Sequence, residues 1–225
     1  MSLNVPLAPA ELTAAEFRKL ARHRLSTAPS DIVIDSQTGR SWRTDPANRA
    51  GEALVEPYPA APARSAAVLV PVVERDVLSV LLTVRTEHLP NHAGQIAFPG
   101  GKIEPGDEDA IAAALREARE EIGLGPEFVE PEGYLDNMLT RTGFHIVPVV
   151  ALVRPGFALT PDASEVAEVF EVPLAFLMDP RNHQSHVREQ TGSKRHFYAM
   201  PYGERFIWGV TAGMIRNMQE RLFAT

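Results

Sequence analysis

The segment from Gly100 to Leu124, GGKIEPGDEDAIAAALREAREEIGL, constrains this chain more than any other stretch. Two glycines open a loop, acids follow, and a helical pattern then places Glu117, Glu120 and Glu121 close together. Each residue of an α-helix advances by about 100°. Ile111, Leu115, Ala118 and Ile122 then fall within about 40–60° of one another and form an apolar stripe. The three glutamates occupy a sector about 100° wide, centred away from that stripe. The pattern predicts a helix with one face on a core and the other offering carboxylate oxygens. Asp107 is its expected cap, because acids suit the positive end of the helix dipole, and Gly123 is its expected stop.

Like charges spaced i,i+4 repel. Such a cluster is either a solvated face, with Arg116 and Glu120 as an ordinary i,i+4 pair, or a site whose counter-charge is a divalent metal. The loop glycines, the acids at the helix start and the run R-E-x-x-E-E favour the second reading. Taken together they resemble the Nudix box, G-x5-E-x7-R-E-U-x-E-E-x-G-U with U aliphatic. Seven residues, Asp109 to Leu115, separate Glu108 from Arg116 as the box asks, whereas the five-residue gap after Gly101 ends at Asp107. The loop is therefore one residue longer than the general signature, and either Asp107 or Glu108 takes the place of its first acid.

Residues 81–101, LLTVRTEHLPNHAGQIAFPGG, resemble the additional signature of the coenzyme A pyrophosphatase branch of Nudix hydrolases. Leu81, Leu82, Thr83, Arg85, Leu89, His92, Gly94, Gln95 and the run Ala97 to Gly101 match it. Thr86 and Ile96 are conservative replacements, and Pro90 stands where an arginine is common, which removes one candidate phosphate contact. The longer loop of the box also resembles that branch.

The resemblance implies an α/β fold of the Nudix type, an α/β/α sandwich around a mixed sheet, here with an N-terminal helical extension. It also implies Mg²⁺ or Mn²⁺ as cofactor. Diphosphate carries dense negative charge, and an ion held by carboxylates and substrate oxygens screens it and lowers the pKa of a bound water. By resemblance Glu117 and Glu121 are the principal ligands, Glu120 is a further ligand or the base, and Arg116 orients a box carboxylate. Gly100 and Gly101 let the backbone approach metal or phosphate, with a carbonyl at Gly101 as a possible ligand. His92 is either a wall of the substrate site or an exposed loop histidine. Arg85 contacts phosphate or forms a salt bridge, and Lys102 contacts substrate or is a surface lysine. Arg141, in the turn Thr140 to Gly143, is a candidate contact to the nucleotide. Glu165 or Glu168 is a candidate base, against the plainer reading of a solvated loop acid. Phe98 and Trp208 read as core.

Elsewhere the chain is less specific. A length of 225 residues supports one domain with an appended segment. Residues 9–25 read as an amphipathic helix with Phe17, Leu20, Ala21 and Leu25 on one face, packed as a cap or used in an oligomer contact, the cap being favoured. Residues 26–64, rich in Pro, Ser, Asp and Ala, read as a mostly irregular connection, and the run Glu56 to Ala63 with its three prolines suits neither helix nor central strand. Residues 1–64 thus form an expected extension and 65–225 the expected Nudix domain. Strands are expected at Ala66–Val73, Val77–Val84, Phe128–Leu135, Phe144–Val153, Glu171–Leu174 and His196–Tyr202, and helices at Ala175–Met178 and Ile207–Leu222.

The absence of Cys excludes disulfides and thiolate metal sites. No run reaches eighteen consecutive apolar residues and the first residues lack the pattern of a signal peptide, so the expectation is a soluble cytoplasmic protein with no membrane partner. A formal charge of −7 argues against binding to a nucleic-acid backbone, while local cations and metal still permit a small polyphosphate substrate. The expected reaction is metal-dependent hydrolysis of coenzyme A or its thioesters by a monomer or homodimer. Alternatives are a Nudix pyrophosphatase for ADP-ribose or a related nucleoside diphosphate, and a non-catalytic nucleotide-binding protein on the same scaffold.

Overall fold

The computed structural model describes residues 12–36, 39, 41–43, 64–88, 92–190 and 193–223. Within them the chain runs α1 (Ala14–Arg24), β1 (Ile32–Asp35), β2 (Ser41–Arg43), β3 (Arg64–Val73), β4 (Ser79–Arg85), β5 (Ile96–Ala97), β6 (Gly100–Lys102) and α2 (Ala110–Ile122). It continues through β7 (Val129–Tyr134), β8 (Asn137–Leu139), β9 (Phe144–Val153), β10 (Val166–Pro173), α3 (Leu174–Met178), β11 (Gln184–Gln190), β12 (Ser193–Tyr202), β13 (Arg205–Trp208) and α4 (Gly209–Phe223).

The large sheet has the order β10-β4-β3-β9-β8-β1-β2, with β5, β6 and β7 paired to β4, β3 and β9. Its centre is the parallel pair β3 and β9, in register from Arg64 opposite Phe144 to Val73 opposite Val153. Parallel pairs need cover on both faces, and both strands are apolar on both faces. Ala67, Leu69 and Val73 turn to one side and pack under α2. Val68, Val70 and Val72 turn to the other and join the core that contains residues of α1, α3 and α4. The result is the expected α/β/α arrangement around a mixed sheet, with β11, β12 and β13 as a separate antiparallel sheet.

α1 is a cap on the domain. It starts with a capping box in which Thr13 and Glu16 exchange bonds. Phe17, Ala21 and the following Leu25 are buried. On the same helix Arg18 and Arg22 donate to the buried Glu132 of β7, at 2.9 Å each, and to Glu130 at 2.8 and 3.0 Å. In the link between β7 and β8 the buried Asp136 accepts from Ser30 (2.8 Å), Asn217 (2.9 Å) and Arg221 (3.0 Å), tying α4 to the segment before β1. Buried carboxylates are costly without such partners, and here each has several.

Some expectations shift. Residues 26–64 are not mostly irregular where described, because β1 and β2 enter the sheet and Val33 pairs in parallel with Asn137 of β8. Strands this short become strands through their partner and carry little pattern of their own. The Glu56–Ala63 run, Leu89, Pro90 and the first residues of the expected N-terminal helix lie outside the described residues. The strand before α3 is twice the expected length, starting at Val166, and β11 had no expected counterpart. The expected helix from Ile207 begins instead at Gly209, after the strand β13.

Phe17 has no solvent exposure, so Phe17→Ala should cost about 3–5 kcal/mol in urea unfolding. A loss below about 1 kcal/mol would show that α1 is not docked in solution.

Candidate active site

α2 is rotated relative to its expected orientation. Its buried residues are Ala110, Ala113, Ala114, Ala118, Glu121 and Ile122, whereas Ile111 and Leu115 are only half-buried. The buried face therefore centres on the alanines, turned by roughly 75° from the Ile/Leu stripe. Small side chains bring the helix close to β3, and that approach carries Glu121 down with it, to 4 % exposure. The helix is capped by Asp109, which accepts from the Ala112 N–H at 2.8 Å, and not by Asp107. Gly123 closes it in the left-handed conformation, φ 71°, as expected.

Asp107 has another partner. It takes both Nε and Nη2 of Arg116, at 2.9 and 3.0 Å, and also accepts from the Glu104 N–H. These bonds hold its carboxyl below the usual carboxylate range, the Arg116 bond foremost. The remaining donors of Arg116 reach Glu117 (2.9 Å), Glu120 (3.1 Å) and the Lys102 carbonyl (3.0 Å). The guanidinium fork thus joins the loop to the helix, and its own pKa rises further. Of the two acids left open by the loop spacing, Asp107 is the one bonded to Arg116.

The two glycines permit close approach on two sides, to a helix carboxylate and to the backbone of β3. A Cβ on Gly101 would lie 2.5 Å from the Glu117 carboxyl group. At Gly100, φ +156°, a Cβ would lie 2.4 Å from the Ala67 carbonyl oxygen and 2.6 Å from Val68 Cα, which are backbone atoms that cannot step aside. The Gly100 N–H also donates to Glu121 at 3.1 Å, and Arg85 approaches the same carboxylate at 3.6 Å.

Glu117 and Glu121 open onto a cleft of about 700 Å³. Arg85, His92, Gly100, Gly101, Lys102 and Glu165 line it too, so most of the nominated residues meet there. Arg116, Glu120 and Arg141 do not line it. The Glu120 side chain is 60 % exposed and faces Arg116, and Arg141 lies exposed in its turn while Thr140 and Thr142 beside it reach the cleft. Glu168 is ion-paired to Arg205. Phe98 is core as expected, but Trp208 is 37 % exposed and lines the cleft.

Further lining residues escaped sequence reasoning. Gln95, bonded to His92 at 2.8 Å, carried a signal within the 81–101 signature. Phe144 and Ile146 alternate on β9, and Trp208 and Met214 arrive from the distant C-terminal elements, with no local signal that they would meet.

Electrostatically the cleft is strained in one direction. Burial pushes Glu121 up to about 7 from an ordinary 4.5, against the Gly100 N–H and Arg85, with Glu117 and Glu165 adding repulsion. Burial raises Glu117 as well. Among the described residues no three acidic or imidazole groups converge on one point as a finished cage. What is present is a set of hard oxygen donors with excess negative charge. That chemistry fits an octahedral divalent ion which keeps waters and takes phosphate oxygens.

This combination, a Gly-Gly strand under a carboxylate helix whose arginine ties down the preceding loop, agrees with the family comparison. The NUDIX domain model matches residues 63–190, and the chain belongs to the Nudix family. Nudix hydrolases cleave pyrophosphate bonds in nucleotide derivatives and generally use divalent metal ions. The uncharacterized Nudix hydrolase NudL of Escherichia coli K12 is 41% identical over 155 residues, covering 69% of this chain and 81% of its own length. NudL of Enterobacter sp. strain 638 is likewise 41% identical over 155 residues. The NUDIX domain of Shewanella oneidensis NrtR, solved in complex with ADP-ribose, is 21% identical and aligns with 72% of this chain and 90% of its own at a TM-score of 0.46.

The raised Glu121 pKa sets a pH dependence. Between 4.5 and about 7 the folded chain holds a proton that the unfolded chain releases, so metal-free stability falls as pH rises through that window. The full loss is roughly 3 kcal/mol at most. A divalent ion competes with that proton, so Mg²⁺ should raise Tm little at pH 5 and clearly at pH 8. Equal gains at both pH values would remove Glu121 from the metal site.

Proposed function

We propose that this chain hydrolyses the diphosphate of coenzyme A or its thioesters, releasing adenosine 3′,5′-bisphosphate and (acyl-)4′-phosphopantetheine. The supporting observation is that the two sequence signatures face one cleft: Arg85, His92 and Gln95 from residues 81–101, and Glu117 and Glu121 from the box helix. Mg²⁺ or Mn²⁺ would be held by Glu117 and Glu121 with a backbone oxygen at Gly101. When bound, it supplies charge neutralisation at the diphosphate and acidifies a water.

The chain's own residues divide the remaining work. Arg116 fixes the Glu117 carboxylate by a 2.9 Å bond and acts as a positioning residue. Glu165 lines the cleft from the turn before β10 and is our assignment for the base that takes the proton of the attacking water. Its carboxylate lies close enough to raise the pKa of Glu117 and Glu121. Glu120, turned outward to Arg116, supports the site from behind its ligands. Arg85 and Lys102 add positive charge at the wall, and His92 with Gln95 contributes hydrogen-bonding groups. The apolar part of the cleft, with Val68, Ile146, Trp208 and Met214, suits a nucleobase or the pantetheine arm.

Among the described residues no helix is long and apolar enough to cross a membrane. We place the enzyme in the cytoplasm, acting as a monomer or homodimer on a small-molecule substrate.

Incubation with coenzyme A and Mg²⁺ or Mn²⁺, with products identified by mass, should yield the two named fragments. Inert coenzyme A beside rapid cleavage of ADP-ribose would overturn the substrate. Glu121→Gln keeps the shape and removes a charged ligand. Because even outer-shell changes at metal sites cost 10–100-fold, it should lower turnover by about 100-fold or more. Near-normal turnover would show that the metal lies elsewhere.

A further inference from the structure

The cleft needs positive charge for a polyanionic substrate, yet the two arginines closest to its carboxylates are committed to them. Arg116 serves three carboxylates and Arg85 faces Glu121. Arg64 and Lys102 differ. Among the described residues neither is ion-paired with a carboxylate, although Glu104 also lines the cleft beside Lys102.

Strand register puts the two together. Lys102 on β6 is paired with Ala66 on β3, and Arg64 lies two residues before Ala66. Residues two apart share a sheet face, so Arg64 continues the face that Ala66 and Val68 present to the cleft, at its rim rather than in its lining. Its Cβ lies about 7–8 Å from that of its diagonal neighbour Lys102, with Glu104 opposite it in the same register. Arg64 is also paired with Phe144 on β9. Its guanidinium lies 4.0 Å from the centre of the Phe144 ring, itself a wall of the cleft, and Nη2 donates to the Thr142 carbonyl at 3.0 Å. A guanidinium held over a ring and anchored by one N–H keeps its other donors for a ligand. The hydroxyls of Thr140 and Thr142, 3.0 Å apart, stand on the same rim.

A planar fork and a point charge on neighbouring strands, neither ion-paired with the nearby Glu104, match a phosphate monoester, which carries about −1.5 to −2 charge at pH 7. The diphosphate under attack belongs at Glu117 and Glu121, so this corner takes a second, separate phosphate. We infer that Arg64 and Lys102, with Phe144 as platform, form a subsite for a phosphomonoester on the nucleotide half of the substrate. The inference rests on the coenzyme A reading, in which that group is the 3′-phosphate of the ribose. The pair then selects coenzyme A over nucleoside diphosphate derivatives that lack this phosphate.

The test compares kcat/KM for coenzyme A and 3′-dephospho-coenzyme A in the wild type, Arg64→Gln and Lys102→Met. The wild type should favour coenzyme A by about tenfold or more, the scale of one charge-assisted hydrogen bond. Each substitution should lower that ratio about tenfold, chiefly through KM for coenzyme A, and Arg64→Lys should restore part of it. Lys102 is exposed, so its variant keeps the test valid should Arg64→Gln misfold. Calorimetry without metal should show adenosine 3′,5′-bisphosphate binding more tightly than AMP, with the gap closing in both variants. A wild-type ratio near one, or a ratio unmoved by both substitutions, overturns the subsite and leaves the coenzyme A reading standing. No cleavage of either compound, with the bisphosphate preference intact, overturns the coenzyme A reading and keeps the subsite.

Discussion

A carboxylate cannot leave water cheaply, and almost everything about this site follows from how Glu121 does so. It is brought under the sheet edge because α2 packs through alanines, while Gly100 lets its strand lie close against β3 and Gly101 leaves space for the neighbouring Glu117 carboxylate. One backbone N–H and one arginine at 3.6 Å meet it there. That is less than a buried charge requires, and burial accordingly raises its pKa. The fold thus stores an electrostatic demand that a divalent ion is suited to fill.

The same demand explains the arginine. Asp107, Glu117 and Glu120 would repel one another across the loop and the helix. A single guanidinium satisfies all three and also takes the Lys102 carbonyl, so loop, strand and helix are fixed by one side chain. Lysine, with one ammonium, could not span these partners. Glu120 is bonded to this framework, whereas Glu165 lines the cleft from the turn before β10. Glu120 and Glu121 therefore separate into an Arg116-bonded and a cleft-facing acid by their angular position on α2, where these sequence neighbours stand about 100° apart.

The carboxylate helix, its glycine stop, the central strands and the docked α1 were legible because their signals are local: a period of 3.6 or 2, and a left-handed glycine. The rotation of α2 was not, because large aliphatic residues look more buried than alanines until the distance to the sheet is known. β1 and β2 were invisible for a related reason, since strands of four and three residues are defined by the partner that pairs with them, and β11, QSHVREQ, is longer but has a single aliphatic residue to mark it. Trp208 reads as core from its composition alone, yet its strand turns it to the cleft rim.

The sequence by itself determined the chemistry on offer: hard oxygen donors without thiolates, glycines where backbone and carboxylate must come close, and two signatures that imply a diphosphate substrate. Only the tertiary structure decided which acids share a cleft, that Asp107 and not Glu108 is bonded to Arg116, and that Arg64 stands beside Lys102 over Phe144. Those outcomes depend on sheet register and on the depth at which a helix sits. Both are set by contacts between segments far apart in the chain, which no local pattern of residues encodes.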